Sequence, residues 1–212
     1  MKQMEQFPDL YTPEVRLWKQ GFKRVMGLDE VGRGCLCGPV VAAGVILHPW
    51  SRLSEGVQDS KKLSKQKRTE LANLIQRDAA FWVVKECSAM DIDQLNILRA
   101  SLKAMVLCSE SDAAVPDYLL VDGNRFTDTL IPSSCLVKGD SLSVSIAAAS
   151  ILAKVYRDAR MQEAHLEYPQ YGWNKNVGYP TKEHYRALSE YGITPYHRKS
   201  FKLGTHKVFS QR

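Results

Sequence analysis

The chain has 212 residues and a hydrophobic share of 44%, which suits one globular domain with or without a small appendage and excludes bulk disorder. Its net charge of +6 is compatible with a polyanionic partner, although charge alone does not establish one. No apolar run reaches the ~20 residues of a membrane span, and residues 1–11 lack the apolar core of a signal peptide, so we expect a cytoplasmic protein that does not bind membranes.

Turn residues, capping residues and apolar periodicity divide the chain into short elements. Asp91 and Gln94 have the spacing of a capping box at the start of their helix. In chain order we predict a short helix (Glu14–Gln20), two strands (Lys23–Asp29, Gly38–Leu47), a helix (Ser64–Arg77), a strand (Phe81–Ser88), a helix (Asp91–Val106), two strands (Tyr118–Val121, Leu136–Lys138), a long helix (Ser143–Ala164) and a last short helix (Thr181–Tyr191).

This order predicts an α/β fold in which helices pack on a mixed β-sheet. No Gly-x-Gly-x-x-Gly motif opens a helix and no Walker lysine loop is present, which argues against a nucleotide cofactor. A Cys-x-Cys pair at Cys35 and Cys37 lacks the second ligand cluster of a zinc site. The other three cysteines lie in apolar segments and are expected to be small buried residues: Cys87, Cys108 and Cys135.

Four acidic residues lie at or just after the ends of predicted strands: Asp29, Glu30, Asp122 and Asp140. Any one of them could simply enter a turn. If their strands are neighbours in one sheet, however, the carboxylates converge at one edge, where they repel one another and raise some pKa values. A divalent cation removes that repulsion, and two such ions about 3.5–4 Å apart form an arrangement that cleaves phosphodiesters. The set therefore indicates a metal-dependent phosphodiester hydrolase.

From about residue 14 to residue 201 the chain carries motifs that resemble, in order and in spacing, those of ribonuclease HII, the type 2 RNase H family. A single hexapeptide could match by chance, but an ordered series is highly specific. The motifs are Asp29-Glu30-Val31-Gly32-Arg33-Gly34, Gly38–Ala43, Asp59–Ser64, Val121–Gly123, Lys138–Ser141, Ser145–Lys154, Gly178–Thr181 with His184, and His197–Phe201.

The resemblance implies an RNase H-like mixed sheet flanked by helices, with a helical C-terminal appendage. We accordingly divide the chain into a lead-in at 1–20, a catalytic domain at 21–167 and a substrate-binding appendage at 168–212. The resemblance also implies an endonuclease that hydrolyses the RNA strand of RNA–DNA hybrids by two-metal-ion catalysis. Such an enzyme would also cut 5′ of single ribonucleotides embedded in duplex DNA, leaving 5′-phosphate and 3′-hydroxyl ends. The expected partners are these two kinds of nucleic acid, and a monomer is expected.

Site residues follow from the same resemblance. The catalytic carboxylates, which would also bind Mg²⁺ or Mn²⁺, are Asp29, Glu30, Asp122 and Asp140. Three loop residues would contact the 2′-hydroxyl and its phosphate, which backbone groups can do without reading a base: Gly32, Arg33 and Gly34. Tyr179 would sense the deoxyribose that follows the ribonucleotide, or would be an ordinary packed tyrosine. Lys61 is expected to contact a phosphate, and Lys62 is as readily a solvated charge.

Several residues keep a weaker interpretation. Three polar residues that recur every four positions on the long helix are expected to support the site without taking part in catalysis: Ser150, Lys154 and Asp158. His184 follows the capping residue Thr181 by three positions and is interpreted as a packing or surface histidine. Asp29 and Glu30 are adjacent, so a regular strand would direct their side chains to opposite faces unless the following glycines bend it.

Two other functions share some of these features. Another RNase H-like nuclease, such as a resolvase or a transposase core, would use the same carboxylates without depending on a 2′-hydroxyl. A non-catalytic hybrid-binding module would bind nucleic acid without any metal-dependent turnover. Cleavage of all-DNA substrates would favour the first, and binding without turnover would favour the second.

Overall fold

The computed structural model describes residues 7–53, 57 and 64–204. Short 3-10 turns lie at Asp9–Tyr11, Gly139–Ser141 and Pro169–Tyr171. The strands are β1 (Val25–Val31), β2 (Val40–Ile46), β3 (Phe81–Cys87), β4 (Tyr118–Asp122) and β5 (Ser133–Leu136). The helices are α1 (Thr12–Lys19), α2 (Lys65–Asp78), α3 (Ala89–Leu95), α4 (Ile97–Ser109), α5 (Val144–Glu167), α6 (Trp173–Asn176) and α7 (Lys182–Tyr191).

Among the described residues, the strands form one five-stranded sheet in the order β3-β2-β1-β4-β5. β1 lies at its centre, antiparallel to β2 and parallel to β4, while β3 continues the antiparallel side and β5 the parallel side. This mixed sheet confirms the predicted α/β fold. Since β1 and β4 are parallel neighbours, their carboxyl ends meet at the same edge of the sheet.

Both faces of the sheet are covered by helices. Successive residues of a strand point to opposite faces, and the apolar residues of β1 and β2 accordingly alternate between two cores. One core contains α1, α2 and α5, and the other contains α3 and α4. At Gly27 the backbone of β1 lies so close to α5 that an added Cβ would be 2.3 Å from the carbonyl carbon of Ser145. The long helix α5 therefore packs directly against the central strand β1.

The C-terminal region forms a third apolar cluster, in which aromatic residues of α6 and of the preceding turn pack against α7 and the end of α5. Tyr171 and Trp173 are stacked with their ring centroids 5.0 Å apart. Leu36 and Cys37, from the loop that joins β1 to β2, belong to the same cluster. The helical C-terminal appendage is thus present, and it packs directly against the loop that follows the central strand.

The capping residues Ser64, Ser143 and Thr181 accept the N–H hydrogen bonds expected at the starts of α2, α5 and α7. The division at residues 20 and 167 stays a prediction, but α1 buries Leu17 and Trp18 in the first core. None of the helices within the described ranges combines the length and the apolar character that a bilayer crossing requires.

Three local predictions are wrong. The helix expected from Asp91 to Val106 is two helices, because Asn96 has a positive φ of 68° that interrupts it, and the capping box pairs Asp91 with Ser88, not with Gln94. The strand expected at Leu136–Lys138 lies earlier, at Ser133–Leu136, because Lys138 is left-handed and begins a turn. Cys135 is exposed, since it lies on the edge strand of the sheet.

Candidate active site

Three carboxylates lie at the edge of the sheet where β1 and β4 end, and a fourth lies in the turn bonded to the end of β4. Leu28 of β1 lies beside Val121 of β4, so Asp29 and Asp122 are the next residues of two adjacent strands. The N–H of Gly139 donates a hydrogen bond of 2.6 Å to Asp122 Oδ1, and this bond holds the 3-10 turn that carries Asp140 against the end of β4. We call Asp29, Glu30, Asp122 and Asp140 the carboxylate edge.

The carboxylate edge is under electrostatic strain. Burial raises the pKa of Asp29 to about 8, and the negative charges of Asp122 and Glu30 add to this effect against an opposing hydrogen bond from Ser150. Burial also raises the pKa of Glu30, and the charge of Asp122 contributes in the same direction while Arg33 opposes it. Since a bound cation would relieve both effects, the donor set fits a divalent metal ion that prefers carboxylate oxygens.

Asp29 and Glu30 both lie within the regular strand β1, and local hydrogen bonds hold each side chain. Oδ1 of Asp29 accepts a 2.7 Å hydrogen bond from the N–H of Glu30, so the Asp29 side chain is held beside its own backbone. Glu30 is bound at 3.2 Å by the guanidinium of Arg33. The charges of Glu30 and Asp122 both raise the pKa of Asp29, which shows that the carboxylates act on one another.

Two open clefts meet at Glu30. One, of about 320 Å³, is lined by residues that include Arg68, Ser150, Lys154 and Tyr179. The other, of about 380 Å³, lies towards α4 and is lined by residues that include Arg33, Asp122 and Arg125. Cationic side chains therefore lie on both sides of the carboxylate edge, as a path for a polyanion across the site requires.

The three supporting residues of α5 have different partners. Ser150 is hydrogen-bonded to Asp29 and so touches the carboxylate edge directly. Lys154 and Asp158 form an ion pair of 2.7 Å with each other, and Asp158 also lies 4.0 Å from Arg68 of α2. Their supporting role stays a prediction.

The loop after β1, which we call the reading loop (Gly32–Pro39), directs backbone amides outward. Arg198 donates to the carbonyl of Gly32 at 2.7 Å and to that of Arg33 at 3.0 Å. Because a trans peptide places its N–H opposite its C=O, the amides of Arg33 and Gly34 point away from the buried guanidinium. Neither amide has a hydrogen-bond partner in the described parts of the chain. A Cβ added at Gly34 would meet nothing within 4 Å, so the backbone there is open to a ligand.

Tyr179 lies beside the reading loop. Its side chain is 40% exposed, lines the first cleft and shares a hydrogen bond with the buried thiol of Cys35. The carbonyl of Gly178 accepts a 2.8 Å hydrogen bond from the N–H of Leu36, so the segment before Tyr179 is joined to the loop. Lys61 and Lys62 lie outside the described residues.

Behind the loop, Cys37, His184 and His197 bring buried ligand atoms within 4.8 Å of one another. Nδ1 of His197 accepts from the N–H of Thr194 at 2.9 Å, so its proton is on Nε2, which lies 3.1 Å from Nε2 of His184. That second nitrogen also accepts from the indole N–H of Trp173. The two acceptor nitrogens, Nδ1 of His197 and Nε2 of His184, therefore already use their lone pairs in hydrogen bonds, and neither is free to bind a metal ion. Burial lowers the pKa of His197 to about 4, with a further contribution from His184, so both rings are neutral.

Two buried arginines, Arg157 and Arg198, were not identified from the sequence, and their guanidinium groups bind carbonyls of the reading loop. Arg157 is seven positions after Ser150 on α5 and therefore shares its helix face, which was an available signal. His184 was interpreted as a packing or surface histidine, and it is buried and packed.

Comparisons with known proteins identify the family and the fold. The family model described as Ribonuclease HII matches residues 26–204. A ribonuclease HII of Salinibacter ruber is 50% identical over 198 residues, which is 92% of this chain and 98% of that relative. One of Ruegeria pomeroyi is 48% identical over 205 residues, covering 96% and 86% of the two chains. The crystal structure of ribonuclease H2 from Pyrococcus horikoshii superposes with a TM-score of 0.75 at 24% identity, over 85% of this chain and 94% of that one.

Proposed function

The chain belongs to the ribonuclease HII family, and on that premise we propose that it cuts 5′ of a single ribonucleotide embedded in duplex DNA, leaving 5′-phosphate and 3′-hydroxyl ends. As a family member it is a ribonuclease H, an endonuclease that acts on RNA–DNA hybrids. The incision at single ribonucleotides and the residue roles given below are the proposal. The observation that carries it is the carboxylate edge, which lies between two cation-lined clefts and beside outward-facing loop amides.

Within this proposal the carboxylate edge holds two divalent cations, Mg²⁺ or Mn²⁺. The ligands would be Asp29, Glu30, Asp122 and Asp140. When bound, the cations would supply the positive charge that activates the attacking water and stabilises the leaving oxygen. Ser150 would keep the Asp29 carboxylate in place, and the Gly139 amide would do the same for Asp122, because each donates to its carboxylate.

In this proposal the sugars of the substrate are recognised by backbone amides of the reading loop and by the ring of Tyr179. The free amides of Arg33 and Gly34 would donate to the 2′-hydroxyl and to the phosphate beside it, since the hydroxyl is an acceptor as well as a donor. Tyr179 would pack against the next sugar, where a deoxyribose leaves room for the ring. Because Tyr179 lies beside the reading loop and bonds to Cys35, the two readers would contact successive sugars of one strand.

Phosphate contacts would supply affinity without reading sequence. Lys61 is proposed to contact one phosphate directly, while Lys154 and Asp158 support the cleft wall by pairing with each other. If Lys61 makes that contact, Lys61→Ala lowers the slope of log affinity against log salt concentration by about one unit. An unchanged slope would mean that Lys61 is a solvated charge.

The proposal is tested with three labelled duplexes of one sequence: DNA with a single ribonucleotide, a continuous RNA–DNA hybrid, and DNA alone. Each is incubated with Mg²⁺ and with a chelator, and the product ends are mapped. We expect incision 5′ of the single ribonucleotide, cleavage of the hybrid, and an intact all-DNA duplex, with no cleavage under chelator. Cutting of the all-DNA duplex would indicate a resolvase-like nuclease, and binding without turnover would indicate a hybrid-binding module.

A further inference from the structure

Arg157 is a fully buried arginine of α5 whose guanidinium binds only backbone carbonyls in the described parts of the chain. Nε donates to Pro39 at 2.9 Å and Nη2 donates to Cys37 at 3.1 Å, both in the reading loop. Nη1 donates at 2.9 Å to Val177, two residues before Tyr179. One side chain therefore joins the reading loop to the Tyr179 segment.

The backbone around Arg157 leaves space for its side chain. A Cβ added at Gly32 would lie 2.2 Å from Nε of Arg157, and one added at Gly38 or Gly178 would lie 3.4 Å or 3.5 Å from Nη2. Gly32 and Gly38 belong to the reading loop, while Gly178 directly precedes Tyr179. The reading loop can therefore close on the guanidinium only because residue 32 is a glycine, whereas an added Cβ at Gly38 or Gly178 would be in ordinary van der Waals contact with it.

The two segments also touch each other directly. The N–H of Leu36 donates to the carbonyl of Gly178 at 2.8 Å. A Cβ added at Gly178 would lie 2.9 Å from the carbonyl oxygen of Cys37 and 3.0 Å from its sulfur. The spacing between loop and tyrosine is therefore fixed by close contacts at Gly178 and by the bridge through Arg157.

Arg198 provides a matched contrast. It is equally buried, and its guanidinium donates to four carbonyls at 2.7–3.2 Å, those of Gly32, Arg33, Gly38 and Pro39. All four belong to the reading loop, and none belongs to the segment that carries Tyr179. Arg198 therefore holds the shape of the loop, whereas Arg157 holds its distance from Tyr179.

We propose that Arg157 is a positioning residue that fixes the spacing between the ribose-reading loop and Tyr179, and thereby sets the preference for an RNA-to-DNA junction. The inference rests on the proposed function, because it requires that these two segments read successive sugars. A planar guanidinium with donors in a fixed fork can bind both segments at once, whereas a lysine ammonium is a single compact charge on a flexible stem.

The test compares Arg157→Lys with Arg198→Lys, which both keep a positive charge. The quantity measured is the junction preference, defined as kcat/KM for the single-ribonucleotide duplex divided by kcat/KM for the continuous hybrid. We expect Arg157→Lys to lower the junction preference about 5-fold or more, because small displacements of positioned groups have large effects on rate. Arg198→Lys should lower kcat/KM on both substrates in proportion, with the junction preference unchanged. A wild-type junction preference in Arg157→Lys, or an equal loss in both variants, would overturn the inference.

Gly178→Ala provides an independent route if Arg157→Lys does not fold. Its methyl group would push against Cys37 and separate the two segments while the guanidinium stays in place. Gly192→Ala is the matched control, since Gly192 also has a positive φ, of 80°, but an added Cβ there meets nothing within 4 Å. We expect only Gly178→Ala to lower the junction preference, and equal junction preferences in the two variants would contradict the inference. If wild type itself does not cut at the single ribonucleotide, the proposed function fails as well.

Discussion

The carboxylate edge is partly buried and the polar groups behind the reading loop are fully buried, and the two regions differ in how their charges and hydrogen bonds are satisfied. At the edge, burial and neighbouring negative charges raise the pKa of Asp29 to about 8. Behind the loop, Arg157 and Arg198 are paired with carbonyls, and His184 and His197 form a complete neutral hydrogen-bonded pair. We call this second group the buried frame.

The two regions therefore have different roles in one site: the buried frame holds the reading loop, and the carboxylate edge would bind positive charge. The buried frame is complete without any ligand, so it can hold the reading loop in a fixed shape before nucleic acid arrives, which reduces the ordering required on binding. The carboxylate edge is complete only when positive charge is added, because its acids repel one another. We therefore expect substitutions at the edge to change activity and substitutions in the frame to change stability or specificity.

The largest effect is expected from Asp122→Asn. The amide oxygen can still accept from Gly139, but the charge that would hold a cation is lost, so turnover should fall by orders of magnitude. The free energy of unfolding without metal should be unchanged or higher, because a repulsive charge is removed. Activity assays and urea denaturation of the same preparation measure both quantities.

Asp117→Asn is the matched control for that variant. Asp117 precedes β4, at the end of the strand opposite to Asp122, and accepts hydrogen bonds from the backbone of Lys23 and Arg24. Its substitution should leave the cleavage rate within a few-fold of wild type. If both variants lose activity equally, or if Asp122→Asn retains a normal rate, the assignment of the carboxylate edge is wrong.

A smaller effect, on stability, is expected from the titration of His197. Its pKa is about 4 in the folded protein and 6.5 when exposed, so the unfolded state binds more protons between these values. Stability from the neutral ring is complete above pH 6.5 and is lost as the pH falls towards 4, by about 3 kcal/mol in total. Among the His, Cys, Asp and Glu residues that the structure describes, Cys37 joins the two histidines in this cluster of ligand atoms, and the ring of Tyr171 packs 5.1 Å from that of His197.

The comparison of wild type with His197→Gln isolates this contribution. Other groups with shifted pKa values, such as Glu14 and Asp29, are present in both proteins and cancel in the difference. The free energy of unfolding of wild type should exceed that of the variant most at pH 7, and the gap should narrow as the pH falls to 4. A gap that is independent of pH would mean that His197 is not held neutral by the fold.

The smallest of these effects is expected from Tyr179→Ala. A hydroxyl on the second sugar would crowd the ring and lose a hydrogen-bond partner, a mismatch of about 1–3 kcal/mol, or roughly a factor of 5 to 150 in rate. Removing the ring should therefore lower the junction preference besides lowering activity. An unchanged junction preference would show that Tyr179 does not sense the second sugar, although the carboxylate edge would be unaffected by that result.

Much of the fold was predictable because it depends on local signals. Ser64 and Thr181 cap helices as predicted, and the apolar run of β2 is buried on both faces as its composition indicates. The break at Asn96 was not predictable from periodicity, because the apolar stripe continues through it. The fifth strand was misplaced because the left-handed residue Lys138 has no special sequence signal.

The site, like the fold, could be predicted from the sequence only in part. Asp29 and Asp122 lie near the ends of strands whose adjacency the sequence could suggest but could not establish, and the structure places these strands side by side, with the turn that carries Asp140 bonded to Asp122. The roles of Arg157 and Arg198 could not be predicted, since all but one of their carbonyl partners come from segments more than 100 residues distant in the chain, such as Pro39 and Gly32. The sequence gives the side chains, but it does not show which distant backbone carbonyls they bind in the fold.

The central claim is that the carboxylate edge is the part of the molecule that an added cation completes. It is tested most directly by measuring the free energy of unfolding against Mg²⁺ concentration at matched ionic strength, for wild type and Asp122→Asn. We predict that wild type becomes more stable by about 1.4 kcal/mol, for each ion bound, with every tenfold rise in Mg²⁺ above the dissociation constant. The variant should show little or no gain over the same range. A wild-type protein that does not respond to Mg²⁺, or a variant that gains as much as wild type, would contradict the claim.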